Sequence, residues 1–361
     1  MRSIFRLARA APSLSLARMQ ELPTLDLRRF SGPDRAAFLA ELRRTAREIG
    51  FFYVIGHGVP ETVVADVLDA SRRFFALPEA EKLKVEMVHS PHFRGYNRPG
   101  WELTRGKPDW REQFDLAAER GVLPRDAGLP AWSRLQGPNQ WPDALPEFRA
   151  VMLRWQDEAT ALSIRLTQAF AAALEQPEDV FASIYNDLPN QRIKIIRYPG
   201  RDQDEETQGV GAHKDSGFVT ILLQDTVRGL EVETPDGWIA APPKPSTFVI
   251  NIGELLEMAS NGYLKATMHR VVSPPAGQER LSIAFFLGAK LDATVPVLDL
   301  PPHLAAEARG VTQDPMNPLF KEVGRNYLKS RLRSHPDVAK AHYADLLSPE
   351  ELQRVGPGSA Y

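Results

Sequence analysis

The pattern that most constrains this chain is a set of polar residues embedded in short apolar runs. It comprises His213 and Asp215, then His269, which lies 56 residues after His213, and then Arg280 and Ser282. Alternate side chains of a strand share a face, so each close pair is expected to point one way. His269 must come from another strand. The pattern therefore requires a fold that brings distant strands together.

Apolar runs around these residues predict the strands. Residues 210–224 are expected to be extended, with 218–223 as a buried run, and residues 266–272 and 280–287 are similar. About eight short strands are indicated between residues 192 and 290, with turns such as Pro235-Asp236-Gly237 and Asn261-Gly262. This spacing predicts a mainly β fold with flanking helices and a jelly-roll core.

The polar residues at these positions predict a metal centre. Two imidazoles and one carboxylate can bind a divalent iron and leave coordination positions open for substrate and oxygen. We therefore predict His213, Asp215 and His269 as metal ligands and as the catalytic residues. Arg280 adds a fixed cation where a carboxylate-bearing cosubstrate can dock. A lone His-x-Asp pair is common by chance, and the joint arrangement is what indicates an oxygen-activating enzyme.

Further short segments follow one another in the same part of the chain. They lie at residues 197–199, 209–215, 229–232, 237–239, 251–254, 260–262, 269–271 and 280–282. With these segments, residues 192–288 resemble the catalytic core of the isopenicillin N synthase-like branch of the iron(II)/2-oxoglutarate-dependent dioxygenases. Residues 23–27, 50–60, 74–78 and 109–112 resemble N-terminal segments of that family, so the similarity spans roughly residues 22–290.

The resemblance implies a fold, a site and a reaction. The fold is a double-stranded β-helix (jelly roll) with an N-terminal α/β extension. His213, Asp215 and His269 would hold Fe(II), and Arg280, Ser282 and Tyr198 would bind the distal carboxylate of 2-oxoglutarate. The implied reaction uses O2 to oxidise, by default to hydroxylate, a small organic metabolite, and converts 2-oxoglutarate to succinate and CO2. Ile196 is a departure, because many relatives have Asn there.

Three other functions stay open. A cosubstrate-free oxidative cyclase or an ethylene-forming enzyme of the same family would use the same iron ligands. A jelly-roll binding protein without metal would lack catalysis, although the intact ligand set and Arg280 argue against it. A zinc hydrolase would need a nearby general base, and the sequence offers none beside these residues.

Composition indicates a soluble globular enzyme rather than a nucleic-acid or membrane protein, and the family resemblance implies a role in secondary metabolism. Apolar residues make up 43% of the 361 positions, charged residues 25%, and the net charge is −2. The absence of cysteine excludes disulfides and thiolate metal sites. We expect a small-molecule substrate, no nucleic-acid or membrane partner, a monomer or weak homo-oligomer, and a cytoplasmic location.

The chain divides into four parts in this interpretation. Residues 1–21 are a disordered or targeting extension, with four arginines before the first acidic residue, or they reflect an upstream start before Met19. Residues 22–145 form the N-terminal dioxygenase region, residues 146–292 the jelly-roll core with a scaffold helix, and residues 293–361 a C-terminal helical tail.

Helical periodicity and loop composition complete the predictions. Helices are expected over residues 35–49, within 60–84 with an end near Leu77-Pro78, and over 146–174. Residues 319–347 are expected to be mostly helical and to pack on the outside or on a partner. Residues 88–148 are loop-rich, and they supply the candidate substrate-pocket residues Phe93, Arg94, Tyr96, Trp101 and Phe114. For any one of these residues, ordinary packing is the more common role.

Overall fold

The computed structural model describes residues 21–124, 128–187, 189–202, 208–312, 314 and 317–353. The predictions for residues 1–20 therefore lie outside the described part. The strands are β1 (Thr24–Asp26), β2 (Phe51–Ile55), β3 (Gly95–Asn97), β4 (Leu103–Thr104), β5 (Lys107–Pro108), β6 (Glu112–Ala117), β7 (Asn190–Pro199), β8 (Gln208–His213), β9 (Val219–Gln224), β10 (Leu230–Thr234), β11 (Gly237–Ala240), β12 (Phe248–Ile252), β13 (His269–Val272) and β14 (Glu279–Gly288). The eight strands predicted between residues 192 and 290 are thus confirmed as β7 to β14.

Helices precede, interrupt and follow the strands. They are α1 (Arg35–Glu48), α2 (Glu61–Phe75), α3 (Glu79–Leu83), α4 (Phe148–Ala173), α5 (Ala182–Tyr185), α6 (Glu254–Ala259), α7 (Pro302–Ala305), α8 (Val323–Ser334), α9 (Pro336–His342) and α10 (Pro349–Gln353). The helices predicted over 35–49 and 146–174 are confirmed. None of the described helices is both long and apolar enough to cross a membrane.

Two sheets face each other, as a jelly roll requires. The larger sheet has the order β1-β2-β12-β9-β14-β7-β6-β3, and the smaller has the order β11-β10-β13-β8. Four of the strands in the larger sheet come from the N-terminal region, so that region extends the core sheet. The mainly β fold with an α/β extension is therefore confirmed.

The larger sheet separates a hydrophobic core from a cavity. On β7, Ile193 and Ile195 are buried in the core beneath α4, whereas the alternate residues face the other sheet. The 26-residue helix α4 presents Met152, Trp155 and Phe170 to this core, all essentially inaccessible to solvent. The helix thus acts as a scaffold that fixes the wall of the cavity.

Tight backbone packing at Gly50 places the end of α1 next to the segment that leads into β13 of the smaller sheet. Gly50 has φ +69°, and a Cβ atom there would lie 2.0 Å from the carbonyl oxygen of Lys265. Only glycine meets both conditions, so α1 ends here and the chain enters β2 directly.

The C-terminal helices differ from the prediction that they pack on the outside or on a partner. Val323 on α8 and Val338 on α9 are fully buried within the main core. On α8, Arg331 faces the cavity and its Nη1 lies 3.0 Å from Asp115 Oδ1 on β6. The tail therefore closes one side of the cavity, a role that its polar composition did not indicate.

Candidate active site

A large cavity lies between the two sheets and is closed by the C-terminal helices. Its volume is about 1300 Å³. The predicted residues His213, Asp215, His269, Arg280, Ser282 and Tyr198 all line it. Residues that are far apart in the sequence therefore meet around one cavity.

Three potential ligand side chains converge at one point of this cavity. His213, Asp215 and His269 each offer a ligand atom, and these atoms lie within 4.8 Å of one another. The Nε2 atoms of His213 and His269 are 3.6 and 3.7 Å from Asp215 Oδ1. The strand prediction was wrong in one detail: β8 ends at His213, and Asp215 lies in the following loop. The two side chains still face the same point of the cavity, because the loop after β8 turns Asp215 toward His213.

Backbone carbonyls orient both imidazoles. Nδ1 of His213 lies 2.8 Å from the carbonyl oxygen of Gly211, and Nδ1 of His269 lies 3.1 Å from that of Thr267. A carbonyl oxygen only accepts, so each Nδ1 carries the proton and donates it. Each Nε2 then keeps its lone pair facing the shared space, which is the arrangement that metal-binding histidines adopt.

Two neutral donors hold the carboxylate of Asp215. Thr220 Oγ1 and Asn251 Nδ2 donate to Asp215 Oδ2 at 2.6 and 2.8 Å. Oδ1 stays on the side of the histidines. Sequence reasoning missed both donors, although Asn251 belongs to one of the segments that carry the family resemblance. The donor set and its outer partners fit a divalent iron of the two-histidine, one-carboxylate kind.

The charges of this cluster favour a bound cation. Burial raises the pKa of Asp215, but the two histidines and the hydrogen bond from Thr220 outweigh it and hold that pKa well below its usual range. Burial, assisted by His213, lowers the pKa of His269 to about 4. Asp215 and His269 are thus in the protonation states that metal binding requires. Burial also acts to lower the pKa of His213, but the neighbouring Asp215 outweighs burial and raises that pKa.

The predicted anion site lies on β14 and β7. Arg280 is fully buried; its Nη1 donates to Ser282 Oγ at 3.2 Å and its Nη2 to Gln224 Oε1 at 2.9 Å. Its Cζ lies 5.0 Å from the ring centroid of Tyr198, which pairs with it across the strands. Nε has no partner in the described residues. Arg280 thus has neutral neighbours at hydrogen-bonding distance, and a ligand carboxylate fits beside it.

A balanced ion cluster fills the cavity wall next to this site. Lys194 Nζ lies 3.1 Å from both Glu102 Oε2 and Asp115 Oδ2. Arg111 lies 2.8 Å from Glu102 and 3.2 Å from Asp109, and Arg331 pairs with Asp115. Three cations therefore match three carboxylates. The buried ion cluster, as we call Glu102, Asp109, Asp115, Arg111, Lys194 and Arg331, is complete without a ligand.

The segment at 109–112 connects the N-terminal region, by hydrogen bonds, to β8, the strand that ends at His213. Asp109 is fully buried, and its Oδ1 accepts from the backbone N–H of Gly211 at 3.1 Å. Its Oδ2 accepts from Thr104 Oγ1. Gly211 also orients His213, so Asp109 fixes the backbone from which that imidazole projects.

The aromatic candidates from the loop-rich region are not at the cavity. Phe93, Tyr96 and Phe114 are core residues with 2% exposure or less, and Arg94 donates to backbone carbonyls. Trp101 stacks with Arg98. The pocket role is therefore wrong for these residues, and the alternative of ordinary packing holds. The wall instead uses neighbouring residues of the same region, including Glu102, Thr104 and Arg111.

Comparison with known families agrees with this geometry. Residues 22–144 match the family model described as the N-terminal region of non-haem dioxygenase in morphine synthesis. Residues 178–289 match the 2OG-Fe(II) oxygenase superfamily. The chain belongs to the 2-oxoglutarate/Fe(II) oxygenases, of the isopenicillin N synthase-like type.

Individual relatives cover most of the chain. A 2-oxoglutarate-dependent dioxygenase, frbJ, from Dothideomycetidae sp. is 37% identical, with 93% of this chain and 96% of that protein covered. A homoarginine-6-hydroxylase from Arabidopsis thaliana is 36% identical, with 78% and 88% covered. The crystal structure of a full-length Neurospora crassa protein in complex with alpha-KG aligns with a TM-score of 0.69 at 26% identity, covering 86% and 96%. These similarities support an oxygenase that uses Fe(II) and 2-oxoglutarate and acts on small metabolites.

Proposed function

We propose that this chain hydroxylates a small metabolite at the His213, Asp215 and His269 centre. The observation that carries the proposal is the convergence of these three ligand atoms within 4.8 Å, in a cavity that also holds Arg280. Iron bound by these residues would supply the oxidising chemistry, in which decarboxylation of 2-oxoglutarate to succinate and CO2 accompanies oxidation of a C–H bond.

The residues of the chain have separate tasks in this reaction. Thr220 and Asn251 would hold Asp215 so that Oδ1 faces the metal. Arg280 would neutralise the distal carboxylate of 2-oxoglutarate, with Ser282 and Tyr198 as further contacts. The two sheets and the C-terminal helices keep bulk water away from the substrate, so that a positioned C–H bond is oxidised in preference to solvent or protein.

Hydroxylation is favoured over the related outcomes by the relatives. A relative that is 36% identical is named a homoarginine-6-hydroxylase. Arg280 is a buried cation with no carboxylate partner among the described residues, as a site for the distal carboxylate of 2-oxoglutarate requires. These observations favour consumption of 2-oxoglutarate and insertion of one oxygen atom.

The test is a metabolite library incubated with iron-loaded protein, 2-oxoglutarate and labelled O2. Mass spectrometry should find one product that gains a single labelled oxygen, in equal amount to the succinate formed. A product that loses two hydrogens without gaining oxygen would replace hydroxylation by desaturation or ring closure. Consumption of 2-oxoglutarate with release of ethylene, and with no substrate consumed, would favour the ethylene-forming alternative.

Other expectations stay predictions that rest on composition. They are the cytoplasmic location, the monomeric or weakly associating state, the absence of nucleic-acid and membrane partners, and the four-part division of the chain. Cell fractionation, light scattering and limited proteolysis would test them. The expected results are cytosolic protein, a mass near 40.3 kDa or its dimer, and cleavage near residues 21, 145 and 292.

A further inference from the structure

One cation of the cavity wall has no role in the proposed 2-oxoglutarate site and no partner among the described residues. Arg192 lies on β7, two residues before Lys194, and lines the cavity as a half-buried side chain. No hydrogen bond or ion pair joins it to any residue of the described part, and its Nε is sealed from solvent. Arg192 therefore differs from the cations of the buried ion cluster, each of which has a carboxylate within 3.2 Å.

Aromatic rings hold the guanidinium of Arg192 in place. Its Cζ lies 4.1 Å from the ring centroid of Tyr327 on α8 and 5.4 Å from that of Phe286 on β14. These contacts orient the planar group but supply no negative charge. Desolvation inside the cavity lowers the pKa of Arg192, so its charge is poorly hydrated. A poorly hydrated and unpaired charge is unfavourable for folding, and a ligand of opposite charge would relieve it.

The strand register places Arg192 in the same row as the residues that hold Asp215. Arg192 pairs with Phe286, Phe286 with Thr220, and Thr220 with Asn251. Two strand spacings put the Cα atoms of Arg192 and Thr220 about 10 Å apart. The row of Arg280 and Tyr198 is six residues along β7, or about 20 Å at strand geometry. Arg192 and Arg280 are thus separate cations at two ends of one wall.

The other cations that line the cavity do not match this description. Arg105 is exposed, Lys214 lies 3.2 Å from Glu257, and Arg333 has Asn317 as a partner. Lys329 donates to the carbonyl oxygen of Pro318. Among the lining residues that the structure describes, Arg192 is the one enclosed cation that has no acceptor from the chain. Because Arg280 would serve the cosubstrate, Arg192 is left for a second anionic group.

We infer that Arg192 binds a carboxylate of the prime substrate, so that the substrate is a small carboxylic acid oxidised at a carbon near its acid group. The inference rests on the proposed function and names its substrate class. A carboxylate fits because the guanidinium fork is planar and binds two oxygens side by side. It also carries one negative charge, which one arginine balances; a phosphate monoester at about −1.5 to −2 would leave excess charge buried.

The experiment measures binding of small acids to the complete protein without turnover. The protein is loaded with Mn(II) in place of iron and saturated with 2-oxoglutarate, so the Arg280 site is filled. Formate, acetate and benzoate are then titrated, each against its amide, with calorimetry and the change in Tm as readouts. We expect at least one acid to bind saturably and its amide to bind at least about tenfold more weakly, because a charge-assisted bond is lost.

Variants assign that preference to one side chain. Arg192→Met should weaken binding of the preferred acid at least about tenfold, and Arg192→Lys should restore part of it. The matched control is Arg105→Met, which removes an exposed cation from the same cavity and should keep the acid preference. Without ligand, Arg192→Met should have a Tm equal to or above that of the wild type, since it removes an unpaired and poorly hydrated charge.

Several results would overturn the inference. They are equal binding of acids and amides across the three pairs, or an unchanged acid preference in Arg192→Met, or an equal loss in Arg105→Met. If Arg192→Met does not fold, Arg192→Lys decides: wild-type affinity together with equal amide binding would contradict the assignment. A failure of the proposed function has a different signature. In that case, adding 2-oxoglutarate to the wild-type protein would not change its Tm.

Discussion

Lys194 and Arg192 are two residues apart on one strand and face one cavity, yet their surroundings differ completely. Lys194 has two carboxylates within 3.1 Å, in a cluster whose charges cancel. Arg192 has two aromatic rings and no carboxylate partner among the described residues. The difference teaches how to separate structural charges from ligand-binding ones in this protein. A charge with its partner in the chain supports the fold, whereas an enclosed charge without one is available to a ligand.

The proposed metal ligands lie on the ligand-binding side of this comparison. Replacing Asp215 or His213 by alanine removes one of three ligands, so iron-dependent succinate formation should fall to the level of the metal-free protein. Because these side chains surround a cavity and do not pack a core, the variants should remain folded. Activity assays with added iron, together with circular dichroism, check both statements. Retention of substantial turnover by Asp215→Ala would show that the metal binds elsewhere.

The buried ion cluster should give the opposite result. Asp115→Asn leaves Lys194 and Arg331 without their shared carboxylate, and breaking a buried pair costs about 3–5 kcal/mol of stability. Urea denaturation measures the free energy of unfolding. The matched control is Asp66→Asn, whose exposed pair with Arg154 should contribute less than about 1 kcal/mol. Equal effects of the two substitutions would remove the distinction between structural and ligand-facing charges.

Arg280 should lie on the ligand-binding side of the comparison. Arg280→Met removes charge-assisted bonds worth about 1.5–3 kcal/mol, so the KM for 2-oxoglutarate should rise by about tenfold to a hundredfold. The free energy of unfolding should change little, since no carboxylate of the chain loses its partner. Steady-state kinetics with varied 2-oxoglutarate provide the measurement. An unchanged KM would show that the anion-site assignment is wrong.

The smallest expected effect is a pH dependence next to the cluster. Burial lowers the pKa of His335 to about 3, so the folded protein keeps this imidazole neutral while the unfolded chain binds a proton below about pH 6.5. The unfolded state then binds more protons, and stability falls as pH falls, by about 1.4 kcal/mol per unit from this group. His335→Gln should reduce the slope of the unfolding free energy between pH 6 and 5.

The control is the same substitution at an exposed histidine, His303→Gln. A wild-type slope that His335→Gln leaves intact would assign the pH dependence to other groups. His335 Nε2 lies 3.8 Å from Glu102 of the buried ion cluster. The prediction therefore tests whether His335, like that cluster, contributes to stability and not to ligand binding.

The sequence predicted the parts of the molecule that depend on local spacing. Alternation within β14 placed Arg280 and Ser282 on one face, and helical periodicity located α1 and α4. The convergence of His213 and His269 followed from the combined pattern, and the structure pairs these two residues directly across β8 and β13.

The parts that the sequence did not predict depend on contacts between distant residues. Lys194 and Glu102 are 92 positions apart, and Arg331 and Asp115 are 216 apart. Periodicity places Arg192 and Lys194 on the same face but cannot say which of them has a partner. For the same reason the C-terminal helices, whose polar residues pair with the cavity wall, were expected on the outside.

The account is tested most directly by succinate formation in the wild-type protein, purified without oxygen and then given iron, 2-oxoglutarate and O2. We predict succinate that depends on iron and rises further with a substrate from a library of small acids. Iron binding without succinate under any of these conditions would contradict the role of Arg280 and favour a cosubstrate-free oxidase. Failure to bind iron at all would contradict the assignment of His213, Asp215 and His269.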